Sequence, residues 1–284
     1  MPGDDDFERM IASLTLESLD QNLFRGFTPE PHLGRVFGGQ VLAQSMNAAC
    51  RTVDEDRRVH SMHAYFLRPG NPKRPIIYDV DPIRDGKRFT TRRVIARQNG
   101  KAIYSTSISF QVPEDGLDHQ DPMPAVGDPE SYPSDEERRN NDYARVNKEA
   151  FLPIEYRPTF DELDRSLTPR DQMFGVWVRP KGRLGDDVSL HQCVVAYLSD
   201  NYLMSTALRH HGKRWNDEDL QTASIDHALW FHGDFRADDW LYYDLSSPRS
   251  FGGRGVNFGR LYTRDGRMVA TSAQEGLMRW TDND

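Results

Sequence analysis

His63-Ala64-Tyr65-Phe66 and its echo His227-Ala228-Leu229-Trp230 are the stretch whose reading decides the fold. Reading on from each, the same landmarks return in the same order. Tyr78-Asp79 follows the first and Tyr243-Asp244 the second; then come Arg88 and Arg254, then Asn99-Gly100-Lys101 and Asp265-Gly266-Arg267. The offsets are 227 − 63 = 164, 243 − 78 = 165 and 265 − 99 = 166. A repeat that drifts by single residues is one whose loops have gained small insertions, so residues 61–110 and 224–276 read as two diverged copies of one unit.

Both copies read as antiparallel sheet. Asn-Gly and Asp-Gly are the strongest short hairpin signals, because both central residues of a type I′ turn need positive φ. After the first turn, Ala102, Tyr104, Thr106, Ile108 and Phe110 share one strand face and Lys101, Ile103, Ser105, Ser107 and Ser109 the other, giving a buried and a wetter side. One apolar helix is expected ahead of each copy, over residues 38–49 and 191–200. Cys193 to Leu198 is apolar all round, as a fully buried segment is. So short a run also fits a buried strand; the longer, Ala-rich partner after Gly38-Gly39 favours helices. Between the copies, from Pro113 to about Arg170, the chain is rich in Pro, Asp, Glu and Asn and reads as a linker. The second unit is expected to open with strands over residues 152–157 and 172–179. The division is 1–115, a linker at 116–150, and 151–284.

The charge sum, 36 − 44 = −8, disfavours nucleic acid as a partner, since phosphate neutralisation needs a basic face. Two cysteines, Cys50 and Cys193, each sit in an apolar run and read as small core residues of a reducing compartment. Met1-Pro2-Gly3-Asp4-Asp5-Asp6 is no signal peptide, no stretch approaches a membrane helix, and Trp280-Thr281-Asp282-Asn283-Asp284 is no peroxisomal address, so a cytoplasmic protein with no membrane contact is expected. Gly252-Gly253-Arg254-Gly255 lies within sheet rather than between strand and helix, so it is not a phosphate loop. His210-His211 lacks ligand spacing, and neither metal nor cofactor is expected.

Four stretches together resemble the acyl-CoA thioesterase II family of double-hotdog proteins. They are Arg35-Val36-Phe37-Gly38-Gly39-Gln40-Val41, His60-Ser61-Met62-His63-Ala64-Tyr65-Phe66-Leu67-Arg68-Pro69-Gly70, Ala223-Ser224-Ile225-Asp226-His227-Ala228-Leu229-Trp230-Phe231-His232 and Gln274-Glu275-Gly276-Leu277-Met278-Arg279. The resemblance implies an α+β double hotdog, two curved antiparallel sheets each wrapped around an apolar helix. It implies acyl-CoA as substrate, hydrolysed to free fatty acid and CoA. It also implies a site made from a helix Asp, a strand Thr or Ser and a late-strand Gln, which map to Asp200, Ser224 and Gln274. Serine stands where some family members carry threonine; it keeps the hydroxyl and loses the methyl that fixes the rotamer. Hotdog units pair their sheets, so the two repeats are expected to form an intrachain dimer, with further assembly into a homo-oligomer.

The residues add their own argument. Aligned on the two turns, Gln274 falls where the first copy has Ile108. A buried amide without partners costs roughly 1–3 kcal/mol, so this one either holds a backbone group or does chemistry. Asp200 follows the apolar run. Continued as helix, it shares a face with Cys193, Ala196, Tyr197, Leu203 and Met204, where desolvation raises a carboxyl pKa toward the range of a general base; the alternative is that it ends the helix in solvent. Ser224 reads as the first residue of a strand over 224–231, able to hold a water or simply to start the strand. Asp226 and His227 invite a triad with Ser224, but strand neighbours point to opposite faces and there is no nucleophile elbow. His227 therefore reads as structural, echoing His63. The reaction expected is direct attack by water, without an acyl-enzyme, at one site per chain; a hotdog hydratase or dehydratase and a non-catalytic acyl-CoA binder are the alternatives.

Overall fold

A computed structural model describes residues 2–30, 34–138, 153–160 and 174–281. The first repeat begins with α1 (Pro2–Leu14), whose Phe7, Met10 and Leu14 form a buried stripe at helical spacing. β1 (Glu17–Asp20) and β2 (Leu23–Gly26) follow, then α2 (Gly38–Cys50) and the long strands β3 (Arg58–Phe66), β4 (Ile76–Asp85), β5 (Phe89–Gln98) and β6 (Lys101–Gln111). After the short α3 (Asp135–Arg138), the second repeat contains β7 (Ile154–Pro158), β8 (Phe174–Pro180), α4 (Val188–Ser199) and α5 (Leu203–Arg209). It ends with β9 (Leu220–Ser224), β10 (Asp226–Phe231), β11 (Leu241–Phe251), β12 (Arg254–Thr263) and β13 (Met268–Trp280). The apolar run 193–198 is helical, and both helices start and stop close to the expected bounds. The expected strands over 152–157 and 172–179 appear as β7 and β8; residues 152, 172 and 173 lie outside the described residues.

The two curved sheets merge. β3 pairs antiparallel with β10, Ala64 opposite His227, so that one 13-stranded sheet runs β1-β2-β4-β5-β6-β3-β10-β13-β12-β11-β8-β7, with β9 added beside β13. Inside it α2 and α4 pack antiparallel, the start of α2 against the end of α4. Side chains from both repeats form one apolar core that includes Leu42, Met46, Val194, Leu198, Ile108 and Leu245. The β6 alternation holds from Tyr104 to Phe110, with Tyr104, Thr106, Ile108 and Phe110 buried, but Ile103, expected on the wetter face, is buried as well, at an irregularity in the pairing with β5.

Three expectations change. The Asn99-Gly100 turn has positive φ at both residues, 49° and 74°, as type I′ demands, but at the second hairpin only Gly266 is positive. There Thr263 N–H donates to Arg267 O, Gly266 N–H to Thr263 O, and Arg267 N–H to Thr263 Oγ1. This is a three-residue loop with a single left-handed glycine. The expected linker is also more than a connection. Trp177 Nε1 donates to Gly127 O, Gln120 bridges Gly266 O and Met268 N–H, and Met123, Val126 and Tyr132 cover the aromatic cluster Trp177, Trp240, Tyr242 and Tyr262. Its charged and proline-rich composition hid a lid of chain closing the back of the second repeat. Finally, the helix does not continue past Asp200: Tyr202 takes a left-handed φ of 68°, so Leu203 and Met204 belong to α5, on a new axis.

Candidate active site

The site begins with a shortage. α2 has no side-chain cap at Phe37 and no acid in its first turn, so its leading N–H groups are unmet by its own sequence. Gly39 N–H donates instead to Asp200 Oδ2 at 3.0 Å, from the other repeat. Asp200 is the C-cap of α4. Its own helix terminus repels a carboxylate, while the positive end of α2 attracts it. Helices can approach this closely because Gly38 and Gly39 lack side chains. A Cβ on Gly38 would lie 2.5 Å from Asp200 Oδ2, and one on Gly39 would collide with the Tyr197 carbonyl.

Asp200 Oδ1 accepts from Gln274 Nε2 at 2.7 Å and from Ser224 Oγ at 3.3 Å. All three expected residues therefore meet, with Asp200 at the centre. Burial raises the Asp200 pKa above the ordinary carboxylate value; the Gln274, Ser224 and Gly39 donors and the Arg35 charge pull the other way. Gln274 is 1% exposed, and its orientation follows from its neighbours. One amide hydrogen goes to Asp200 and the other to His227 Nδ1 at 3.2 Å. That assigns the His227 proton to Nε2, which lies 3.0 Å from Ser199 Oγ; Ser199 in turn donates to Ala196 O. Burial holds the His227 pKa down at about 3, so the imidazole is neutral. Gln274 Oε1 is left buried with no protein partner among the described residues.

The reading of Ser224 and His227 needs correction. Ser224 ends β9 rather than starting β10. The chain breaks at Ile225, and the pairing with β13 slips by one between Gly276↔Ser224 and Ala273↔Ala228. This shift puts Ser224 and His227 on the same inner side, while Asp226 turns outward and accepts from Glu275 N–H at 2.7 Å. His227 does not echo His63. His63 is exposed and packs edge-on against Trp230 with ring centres 5.1 Å apart, whereas His227 is 1% exposed. Its counterpart by register is Met62, which faces Ile108 as His227 faces Gln274.

The same register carries the whole constellation back to the first repeat. Ser224 opposite Gly276 corresponds to Val59 opposite Phe110. Asp200 beside Gly39 corresponds to Cys50 beside Ser189. Where the second repeat has Asp200, Ser224, His227 and Gln274, the first has Cys50, Val59, Met62 and Ile108. Among the described residues no group of three or more His, Cys, Asp or Glu side chains could hold a metal ion, and no helix is long and apolar enough to cross a membrane.

Comparison with known proteins fixes the family. The profile for acyl-CoA thioesterase matches residues 163–277, and that for the acyl-CoA thioesterase N-terminal domain matches residues 28–111. Acyl-CoA thioesterase 2 of Haemophilus influenzae is 38% identical over 98% of this chain and 99% of its own. Acyl-coenzyme A thioesterase 8 of Mus musculus is 42% identical over 95% of this chain and 88% of its own. Among solved structures, an acyl-CoA thioesterase II, TesB2, from Mycobacterium marinum superposes with a TM-score of 0.81 at 40% identity, covering 97% of this chain and all of that one. The chain belongs to the acyl-CoA thioesterase family, folds as a double hotdog, and hydrolyses acyl-CoA thioesters.

Proposed function

We propose that Asp200, Ser224 and Gln274 carry the hydrolysis, with Asp200 as general base and no covalent intermediate. The observation that supports this most is the Asp200 carboxylate itself: partly buried, raised in pKa, yet held by three donors from three separate elements. Asp200 takes a proton from a water positioned by the Ser224 hydroxyl and by Gln274 Oε1, which is buried and unpaired among the described residues. The water oxygen attacks the thioester carbonyl. The remaining N–H groups in the first turn of α2 stabilise the oxyanion with the helix dipole behind them. Collapse of the tetrahedral adduct breaks the C–S bond, and the proton held by Asp200 passes to the departing sulfur. His227 keeps the Gln274 amide turned the right way. Both its ring nitrogens are engaged, which leaves it no part as the acid or base of a hydratase.

We assign one such site to each chain, because Cys50, Val59, Met62 and Ile108 offer no base and no amide at the related position. Residues 1–115 and 151–284 are the two hotdog units, joined by 116–150; β1 to β6 fall in the first and β7 to β13 in the second. The unpaired thiols of Cys50 and Cys193 support a cytoplasmic setting. The exposed Tyr65 and Phe258 rings on the outer sheet face support assembly of several chains. The test of the site is thiol release from a panel of acyl-CoAs of increasing length by wild type and Asp200→Ala. The variant should keep its fold and lose about a hundred- to ten-thousandfold in kcat, the range in which removal of a working base falls. Near-normal turnover would remove Asp200 from this role.

A further inference from the structure

Acyl-CoA is a small reacting centre on a long pantetheine arm that ends in a phosphorylated nucleotide. The reacting centre has a place at Asp200; the nucleotide needs one farther out along a path leading from it. β9 and the tail of β13 provide such a path. Gly276 lies opposite Ser224, Met278 opposite Thr222, and Trp280 opposite Leu220. Strand alternation puts these six positions on the same face as Gln274. From Ser224 to Leu220 the ribbon runs about 13 Å, at ~3.3 Å per residue, and its residues pass from half-buried at Ser224 to exposed at Trp280.

The side chains along that face suit an anionic nucleotide. Arg35 is exposed, and its Nη1 lies 3.4 Å from Thr222 O, midway along the ribbon. In a chain with 44 acidic residues, Arg35 has no carboxylate partner among the described residues. It is also near enough to the site for its charge to reach Asp200. Thr222 Oγ1 donates to Trp215 O at 2.9 Å, which holds the Trp215 segment over the same face, with the indole 47% exposed. Farther out, Trp280 is 61% exposed, with Lys213 Nζ 5.0 Å from its ring centre. Lys213 is already paired with Asp219 at 2.5 Å, which leaves Arg35 as the better phosphate ligand. Guanidinium forks match phosphate oxygens, and an exposed indole offers a stacking platform to a base.

We propose that Arg35 and Trp215 bind the phosphorylated nucleotide of CoA, Arg35 a phosphate and Trp215 the adenine, with the β9–β13 ribbon guiding the pantetheine arm between them and Asp200. This rests on hydrolysis at Asp200, and the experiment separates the two claims. kcat/KM is measured for an acyl-CoA and for the S-acyl-pantetheine with the same acyl group, and their ratio is compared among wild type, Arg35→Ala, Arg35→Lys and Trp215→Ala. Any effect of Arg35 on Asp200 acts on both substrates and cancels in the ratio. The ratio should fall about tenfold or more in Arg35→Ala, equivalent to about 1.4 kcal/mol, and partly recover in Arg35→Lys. In Trp215→Ala it should fall about fivefold or more. A ratio held at the wild-type value in either alanine variant overturns the proposal. A wild-type protein that hydrolyses neither substrate overturns instead the reading of Asp200 on which it rests.

Discussion

The substitution Gln274→Ile writes the first repeat's residue into the second repeat's site. Its two effects can be worked out separately. Gln274 Nε2 donates to a carboxylate at 2.7 Å; hydrogen bonds to charged groups contribute about 1.5–3 kcal/mol, which is roughly 10- to 150-fold in rate if realised at the transition state. The variant also loses Oε1, the acceptor proposed to hold the water. We expect kcat/KM for acyl-CoA to fall by at least about a hundredfold. Stability should fall less, because isoleucine fills the space of the amide. What remains is an Asp200 with one donor fewer and a His227 Nδ1 with none, at about 1–3 kcal/mol for each buried group left unpaired. Adding His227→Met completes the first repeat's Met62–Ile108 pair and removes one orphan. The double variant should therefore recover stability in urea unfolding while thiol release stays low. A single variant that turns over within about threefold of wild type would refute the placing of Gln274 in the reaction. A double variant less stable than the single would refute the register equivalence of the two pairs.

Two titrations follow from the same network. Ser224→Ala removes a donor from Asp200, whose pKa is already raised by burial. The carboxylate must be ionised to act, so activity is lost as pH falls through its pKa; the acid limb of kcat/KM should move to higher pH in the variant, and a limb that stays put contradicts the contact. His227 has a folded-state pKa of about 3 against an unfolded value near ~6.5. The unfolded chain takes up the proton first, so this residue's contribution to stability is lost as pH falls below about 6.5, amounting to about 2 kcal/mol between pH 7 and pH 5. Urea midpoints at the two pH values should show a smaller difference in His227→Met than in wild type; equal differences would mean that His227 titrates near its normal value.

Much of this architecture is written locally. The Asn99-Gly100 turn, the two buried helices and most of the β6 alternation each depend on residues within a few positions of one another, and each is readable; the repeat is readable because its landmarks recur in the same order. The stripe Phe7, Met10, Ile11 and Leu14 of α1 has the same local spacing, three, four and seven, beside an acidic start. The site is a different case. Gly39 and Asp200 are 161 residues apart, and nothing around either states that one helix start lacks a cap the other can supply. His227 matches His63 in local motif, yet the strand pairing aligns it with Met62, and a one-residue slip at Ile225 brings it to the Ser224 side of the sheet. Tyr202 is an aromatic residue in a conformation that favours glycine, so the break after α4 has no sequence signal of its own. Gln274 was legible only because its sister strand supplied a comparison residue.

Both units lie in one chain, joined in space at the seam where β3 pairs with β10. In a homodimer of separate units, every substitution appears twice, so a lysine that helps one face must be tolerated on its mirror image. Fusion ends that coupling. Codon 108 can change without codon 274, and each repeat is free to accumulate its own history. One lends a helix start to its sibling, and the other carries the polar residues. The first repeat is then no relic: deleting it would strip the carboxylate of Asp200 of the Gly39 amide that faces it.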